Sequence, residues 1–442
     1  MLPPINKLPP EVLSAALEHR TDDQDLIAAT QVCQYWRSVL TSNRVLWTSF
    51  QLQSSRGLDR ALAYLERSNP MLIDLTVNAV SLRSFEVFEH LTAHIARTRS
   101  FVVENLRDGH TISSLLRNST PSLQHLDINF RGAHERLPND FLHQQASSLQ
   151  SISLIGICPT FESPFPFPNL VQFRLGLPEM ACPFRTSALF RFLSGCPQLR
   201  RVLIHFSEET LKDIAPDRVI SLESLEELEY ASRSRGRIIP YLSLPRLTKF
   251  RVYSCWRPGQ TFKLCKLLPY DYHALLAGVT KMAYHTNFPR IQLTGDKVDL
   301  SLTFHRPGEI STPAWWLFDD TPIPFERIED LTVDGSIGAD FPLDRFTNLK
   351  VLRVIPWGPE ANDGFFRLLH PKGNALYPFL QEIQYTCFEP LGPLVRLAQA
   401  RLLAGHQLEL VRLVNLPESF RDDVEELRGL VEVLIEEEDI SQ

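Results

Sequence analysis

The chain has 442 residues, of which 44% are hydrophobic and 22% charged, a balance typical of folded proteins with a sizeable core. Lysine and arginine number 45 against 52 acidic residues, which gives a formal charge of -7. No apolar run approaches the roughly 18 residues of a membrane span. These figures argue against disorder, membrane insertion and a general affinity for nucleic acid.

The first ten residues carry four prolines where a secretory signal would have an unbroken apolar core. Seven cysteines without a C-x-x-C pair indicate reduced, mostly buried thiols rather than a disulfide framework. We therefore expect a protein of the cytoplasm, the nucleus or both.

Residues 8–50 predict three short helices. The first opens at Pro9-Pro10-Glu11, the second at a group of aspartates between residues 22 and 25, and the third runs through Trp36. Three helices of two to three turns enclose too little apolar surface to be stable alone. Some of their apolar side chains should therefore face a partner or the rest of the chain.

Four motifs follow one another in this segment: Leu8-Pro9-x-Glu11-Val12-Leu13, Asp25-Leu26, Val32-Cys33-x-x-Trp36-Arg37 and Leu46-Trp47. In this order they resemble an F-box. The resemblance implies that residues 1–50 bind the Skp adaptor of a Skp/cullin/F-box ubiquitin ligase and, through it, the cullin and RING subunits. It assigns the adaptor contact to Leu8, Pro9, Val12, Leu13, Leu17, Leu26, Val32 and Trp36.

Two alternatives stay open for this segment. Val32 and Trp36 could hold the three helices together instead of touching the adaptor. The whole module could also serve only to cover the first unit of the following array. After it, residues 51–69 predict an amphipathic linker helix from Gly57 to Ser68.

From residue 70 onward one phrase recurs thirteen times, with apolar residues at positions 0, +3 and +5. Its alternation of apolar and polar residues predicts a short strand with one buried face. Helical patterns at Thr186–Ser194 and at 394–403 precede two of the strands. Proline stands two residues before position 0 in six copies, at Pro70, Pro121, Pro168, Pro197, Pro245 and Pro378. The weaker copies begin at Leu149, Leu225, Val279, Ile328, Leu349, Leu408 and Leu430.

These phrases resemble the L-x-x-L-x-L core of leucine-rich repeats. The resemblance implies an α/β fold in which residues 70–442 form an irregular leucine-rich-repeat solenoid, with parallel strands on its concave face. The alternative is a set of ordinary α/β domains with accidental phrase matches. The repeat register blurs between residues 254 and 327.

The C-terminal residues 418–442 are acidic, with ten acids and two arginines between 418 and 439. Residues 422–440 predict an amphipathic helix with Leu427, Leu430, Val431 and Leu434 inward. We expect this helix to cap the last repeat.

Side chains that alternate with the buried ones on each strand are the candidates for substrate contact. Each of them is more simply interpreted as an ordinary solvated strand residue. The candidates in the main set are Arg174, Arg201, His205, Lys249, Arg251, Tyr253 and Lys281, with Glu227, Glu229, Asp330 and Asp334 beside them.

Motifs for catalysis are missing from the sequence: it has no G-x-S-x-G, no phosphate-binding loop and no H-E-x-x-H. His90 and His94, four residues apart on a predicted helix over 82–95, could ligate a metal, but a solvated helical face is the better interpretation. We expect no cofactor and no metal.

The sequence thus predicts a non-enzymatic receptor of a ubiquitin ligase, which binds a protein substrate through the repeats and directs it to proteasomal degradation. The alternative is a non-degradative leucine-rich-repeat scaffold or regulatory binding protein. A metal or thiol enzyme is the least favoured class.

Overall fold

The computed structural model describes residues 8–18, 23–53, 57–78, 91–106, 120–131, 135–136, 147–159, 161, 167–177, 185–206, 218–232, 238–255, 264–286, 290–305, 321–335, 341–355, 377–387 and 391–437. The chain divides into two compact units, Met1–Pro216 (unit 1) and Asp217–Gln442 (unit 2).

Unit 1 begins with helices and continues as a parallel sheet. Its helices are α1 (Pro10–Glu18), α2 (Asp23–Val32), α3 (Gln34–Ser42), α4 (Leu58–Arg67) and α5 (Thr186–Ser194). Its strands are β1 (Ser49–Leu52), β2 (Ile73–Asn78), β3 (Thr98–Leu106), β4 (His125–Phe130), β5 (Glu135–Arg136), β6 (Ser151–Ile155), β7 (Ile157–Cys158), β8 (Gln172–Gly176) and β9 (Arg201–Phe206).

The main sheet of unit 1 runs β1-β2-β3-β4-β6-β8-β9 with every neighbour parallel. The short strands β5 and β7 pair separately. Successive strands along the chain are thus neighbours in the sheet, as one strand per repeated unit requires.

Unit 2 contains helices α6 (Tyr272–Leu276), α7 (Gly392–Leu403) and α8 (Arg421–Arg428). Its strands are β10 (Ile220–Ser221), β11 (Glu227–Ser232), β12 (Leu242–Ser243), β13 (Lys249–Cys255), β14 (Val279–His285), β15 (Arg290–Gly295), β16 (Asp299–His305), β17 (Asp330–Asp334), β18 (Val351–Ile355), β19 (Glu382–Thr386), β20 (Leu410–Val414) and β21 (Val433–Glu437).

The main sheet of unit 2 has the order β11-β13-β16-β15-β14-β17-β18-β19-β20-β21. Strand β15 is antiparallel to both of its neighbours, and the other pairs are parallel. Strands β10 and β12 form a separate pair. The antiparallel insertion lies where the repeat phrase blurs in the sequence.

The recurring phrase corresponds to a turn followed by a strand. In the six copies with proline, the residues at positions +3 and +5 are at most 2% exposed. The copy with Pro70 differs, since its turn bond runs from the Met71 N–H to the Ser68 carbonyl (2.7 Å). In the other five copies the N–H at position 0 donates to a carbonyl three residues earlier, as from Leu123 to Thr120 (3.1 Å) and from Leu247 to Leu244 (3.2 Å). Proline at -2 is the second residue of this turn, where its fixed φ is favourable and its missing N–H costs nothing.

Several expectations about elements are confirmed. Helix α4 lies within the predicted 51–69 segment, α5 spans Thr186–Ser194, and α7 covers the predicted 394–403 helix. The mixed α/β class, with helices first and a large parallel-strand sheet after them, agrees with the structure.

The predicted C-terminal helix over 422–440 is wrong. Helix α8 ends at Arg428, and Val433–Glu437 forms β21, parallel to β20. Pairing with β21 satisfies the edge N–H and C=O groups of β20, which a helix could not do, and the apolar residues Val433 and Ile435 fit the strand phrase as well as the helical one. Residues 438–440 lie outside the described part of the chain.

Strands β1, β3 and β15 were not predicted. The predicted helix over 82–95 lies mostly outside the described residues; residues 91–92 near its end are helical, and the 3-10 turn Ile95–Arg97 follows. Among the described residues, no helix has the length and apolar character to cross a bilayer.

Candidate functional site

The first three helices pack into one module. Helix α3 contacts both α1 and α2, and α1 also contacts the 3-10 turn Arg44–Trp47. Tyr35 Oη donates to the Leu8 carbonyl (2.7 Å), and Arg37 Nε donates to the Thr30 carbonyl (3.0 Å). The signature helix α3 therefore fixes both the start of α1 and the end of α2.

Trp47 joins this module to α4. Its side chain is 0% exposed, and Nε1 donates to the Leu40 carbonyl (2.8 Å). The ring of Tyr64 packs edge-on with 4.8 Å between ring centroids, and the Arg67 guanidinium lies 4.2 Å from the centroid of Trp47. The module and α4 thus share a packed aromatic core.

The eight residues predicted to contact the adaptor differ in exposure. Leu13 is 2% and Leu26 0% exposed, so both lie in the core of the module. Val12 is 49% and Val32 57% exposed. The remaining four divide into exposed Pro9 and half-buried Leu8, Leu17 and Trp36.

Helix α1 turns apolar residues to solvent and a polar one inward. Ser14 is 8% exposed, whereas Val12, Ala15 and Ala16 are exposed. Val12 and Ala16 are four residues apart and therefore share one face of the helix. An apolar stripe left in water while a serine is buried marks an interaction surface more than a packing face.

Sequence reasoning missed four further exposed apolar residues in the described part of unit 1. Val45 is 50%, Met71 40%, Leu72 39% and Val171 38% exposed. Leu72 occupies position 0 of its phrase, yet its neighbour Ile73 is the buried residue, at 0%. A hydrophobic pattern of period two does not specify which of two adjacent apolar residues faces inward.

The candidate substrate residues lie on both units. In unit 1, Arg174 on β8 and Arg201 on β9 are exposed, and His205 is half-buried on β9. These strands are neighbours, with Arg174 opposite Leu203 and Gln172 opposite Arg201. The three candidates of unit 1 therefore lie on two adjacent strands.

In unit 2, Lys249, Arg251 and Tyr253 follow one another on β13, whereas Lys281 is on β14. Strands β16 and β15 lie between them. Lys249 forms an ion pair with Glu227 (3.4 Å). The inserted strands thus separate Lys281 from the other three candidates.

The predicted acidic candidates of β17 are already paired. Asp330 binds Arg353, and Asp334 Oδ2 lies 2.7 Å from His285 Nδ1. The hydrogen bond that Arg353 donates to Asp330 raises the pKa of Arg353, against the lowering effect of burial. Arg412 similarly bridges Glu382 (3.1 Å) and Glu437 (2.9 Å) across neighbouring strands.

The cysteines with described side chains are free thiols: Cys196 and Cys387 are buried, and Cys33 and Cys265 are half-buried. Of the two histidines considered as metal ligands, His90 lies outside the described residues. Within the described ranges, no group of three or more His, Cys, Asp or Glu side chains could hold a metal ion.

Residues 5–53 match the F-box-like family model. The match covers the three helices, the 3-10 turn and β1, and it supports an F-box protein. It confirms the resemblance drawn from the four N-terminal motifs. No curated protein matches the chain.

Proposed function

We propose that the chain is the substrate-recognition subunit of a Skp/cullin/F-box ubiquitin ligase. In this proposal, residues 1–50 bind the Skp adaptor and, through it, the cullin and RING subunits. A leucine-rich-repeat array in residues 70–442 binds a protein substrate and brings it to the ligase for degradation in the cytoplasm, the nucleus or both. The exposed apolar residues inside the F-box-like match are the observation that supports it best.

The predicted adaptor residues have two roles: some touch the adaptor, and others support the contact surface from within the module. Pro9, Val12 and Val32 touch the adaptor directly, because they are exposed in this chain. Leu13 and Leu26 shape the surface from within the module core. Covering the exposed half of each valine contributes on the order of 1 kcal/mol per side chain, so the complex also needs the half-buried Leu8, Leu17 and Trp36.

The repeat assignment is supported by the turn-strand unit that recurs with proline at the second turn position. Its proposed substrate contacts stay the seven residues of the main candidate set, on β8, β9, β13 and β14. F-box proteins are typically adaptors without an active site, and proximity of substrate lysines to the charged conjugating enzyme is sufficient as a mechanism. The proposal needs neither a cofactor nor a metal.

A co-purification experiment tests the adaptor contact. The full chain and a Val12→Asp/Val32→Asp variant are each mixed with a purified Skp adaptor, and the recovered adaptor is quantified. We expect at least about a tenfold reduction for the variant, because each aspartate places an unpaired charge in an apolar interface.

Val219→Asp is the matched control, since Val219 of unit 2 is also exposed, at 36%. It should recover as much adaptor as the wild type, and circular dichroism should show all three proteins folded. Equal recovery by the double variant and the wild type would contradict the proposed contact.

A further inference from the structure

Four neighbouring strands of unit 2, in the order β13, β16, β15 and β14, align their polar side chains in three rows. These residues alternate with buried ones such as Phe250 and Val252, so they lie on the face of the sheet opposite the core. The rows, here called the central polar face, are Lys249, Asp299, Thr294 and Lys281; Arg251, Ser301, Gln292 and Ala283; and Tyr253, Thr303, Arg290 and His285.

The central polar face is cationic, although the whole chain carries a formal charge of -7. It contains four cations and one carboxylate, Asp299, which accepts a hydrogen bond from Gln292 (3.4 Å). Lys249 is paired with Glu227. Arg251, Lys281 and Arg290 have no ion pair with any residue in the described ranges.

Arg290 is held in place without being neutralised. Its Nε donates to Ser301 Oγ (3.0 Å), and Ser301 is only 5% exposed. This leaves the two Nη groups without a partner among the described residues. A guanidinium fixed at one nitrogen loses little further rotamer entropy when it binds a carboxylate with the others.

The strands beside this face carry acidic side chains. Glu227 and Glu229 lie on β11, and Asp330 and Asp334 lie on β17, bound to Arg353 and His285 respectively. These flanks would repel an anion placed over them. The second row contains the small side chains of Ser301 and Ala283, which leave a shallow depression between the cations.

We propose that the central polar face binds an extended, carboxylate-rich segment of a protein partner. Strands lie about 4.8 Å apart and alternate residues about 6.6 Å apart, so Arg251 and Arg290, two strands and one row apart, are separated by roughly 12 Å. An extended peptide presents alternate side chains about 6.6 Å apart, so acids two to four residues apart can reach both cations. A nucleic acid fits less well, because the flanks are acidic and Tyr253 is the one Phe, Tyr or Trp among the twelve residues.

This inference deepens the proposed function, since it names the class of substrate segment, but binding itself does not require the adaptor. The probe is a fluorescein-labelled ten-residue peptide of alternating Glu and Ser, titrated with the full chain at low salt and followed by fluorescence anisotropy. We expect saturable binding that weakens with added salt, and no binding of the matching Gln-Ser peptide.

An Arg251→Glu/Arg290→Glu variant should bind the Glu-Ser peptide at least about tenfold more weakly. Arg246→Glu, an exposed cation in the turn before β13, makes the same reversal at a single site outside the face and should leave the affinity unchanged. If the double reversal misfolds, Arg251→Gln/Arg290→Gln serves instead and should also lose about tenfold.

Equal affinities of the wild type and a folded double variant would overturn the inference, as would equal binding of the Gln-Ser peptide. Tighter binding of a ten-nucleotide oligouridylate would assign the face to nucleic acid instead. Adaptor recovery measured on the same preparations separates the two proposals, because a chain that binds the acidic peptide but no adaptor refutes only the ligase role.

Discussion

Trp36 and Trp47 of the N-terminal module differ in what their indole nitrogens contact. Trp47 Nε1 donates to Leu40, whereas Trp36 Nε1 is buried without a partner among the described residues. Trp47→Phe should therefore lower the free energy of unfolding by about 1–3 kcal/mol, because it orphans a buried carbonyl. Trp36→Phe should cost less than about 1 kcal/mol, because it removes an unsatisfied donor.

Urea denaturation followed by circular dichroism measures both values on the same chain. The two variants receive the same substitution, but Trp47 is fully buried and Trp36 half-buried, so the difference between them includes packing as well as the hydrogen bond. Equal destabilisation would mean that the Leu40 hydrogen bond contributes nothing to the module.

Because two thiols are buried, we expect the free energy of unfolding to fall in alkaline solution. Burial raises the pKa of Cys196 and of Cys387 from 9.0 to about 12. The folded chain then holds these protons more tightly than the unfolded chain, so their contribution is complete below pH 9 and is lost as the pH rises towards 12.

The measurement is the free energy of unfolding between about pH 8 and pH 11 for the wild type and for Cys196→Ala/Cys387→Ala. The wild type should lose more stability over this range than the variant, in which only the other titrating groups remain. Parallel curves would contradict the burial of these thiols.

For individual residues, the sequence predicts only part of the candidate site. The motif specifies that Val12 and Leu13 are both apolar, but their opposite exposures depend on where α3 and the 3-10 turn pack against α1. The buried Ser14 and the exposed Val45 likewise follow from tertiary packing, which no local pattern contains.

At the level of helices and strands, α7 is bound to the turn before β19 through one buried arginine. Arg401 is 5% exposed, and it donates to the carbonyls of Tyr377 (3.1 Å) and Leu380 (2.7 Å). Desolvation lowers the pKa of Arg401, and its Nε has no partner within the described ranges. If the guanidinium were removed, the Leu380 carbonyl would lose its partner, whereas the Tyr377 carbonyl would keep the turn hydrogen bond from the Leu380 N–H (3.1 Å).

Arg401→Met keeps the apolar stem and removes these donors. We expect it to lower the free energy of unfolding by about 2–4 kcal/mol, measured by urea denaturation. Arg396→Met, an exposed position of the same helix, should stay within about 0.5 kcal/mol of the wild type. A small effect at Arg401 would show that water or a rearranged turn satisfies the Leu380 carbonyl.

Strands β3 and β15 show why the apolar phrase does not predict every strand. Strand β3 begins at Thr98, where the other copies have an apolar residue at position 0. Thr98 is nevertheless 1% exposed, because its hydroxyl donates to the His94 carbonyl (3.3 Å). A polar residue that satisfies itself locally can occupy a core position, and a pattern of apolar residues does not detect it.

Strand β15 was not predicted for a different reason. It returns antiparallel between β14 and β16, so its direction is opposite to that of the repeated strands, and β14 and β16 are not neighbours in the sheet. The sequence predicts where the repeat fails but not the insertion that causes the failure.

For the molecule as a whole, the F-box-like match continues directly into the sheet of unit 1. Its last element, β1, pairs in parallel with β2, and Trp47 packs against Tyr64 of α4. The N-terminal helices are therefore fixed to the sheet and to α4 of the same unit by backbone pairing and aromatic packing. An adaptor bound to α1 and α2 would be held in a defined orientation to this sheet.

The measurement that tests the central claim most directly is a calorimetric titration of the purified full chain with a purified Skp adaptor. We predict one-to-one binding with a negative heat-capacity change, because Val12, Val32 and their apolar neighbours leave water in the complex. The Val12→Asp/Val32→Asp variant should bind at least about tenfold more weakly. Absence of binding by the folded wild-type chain would contradict the proposed role in a ubiquitin ligase.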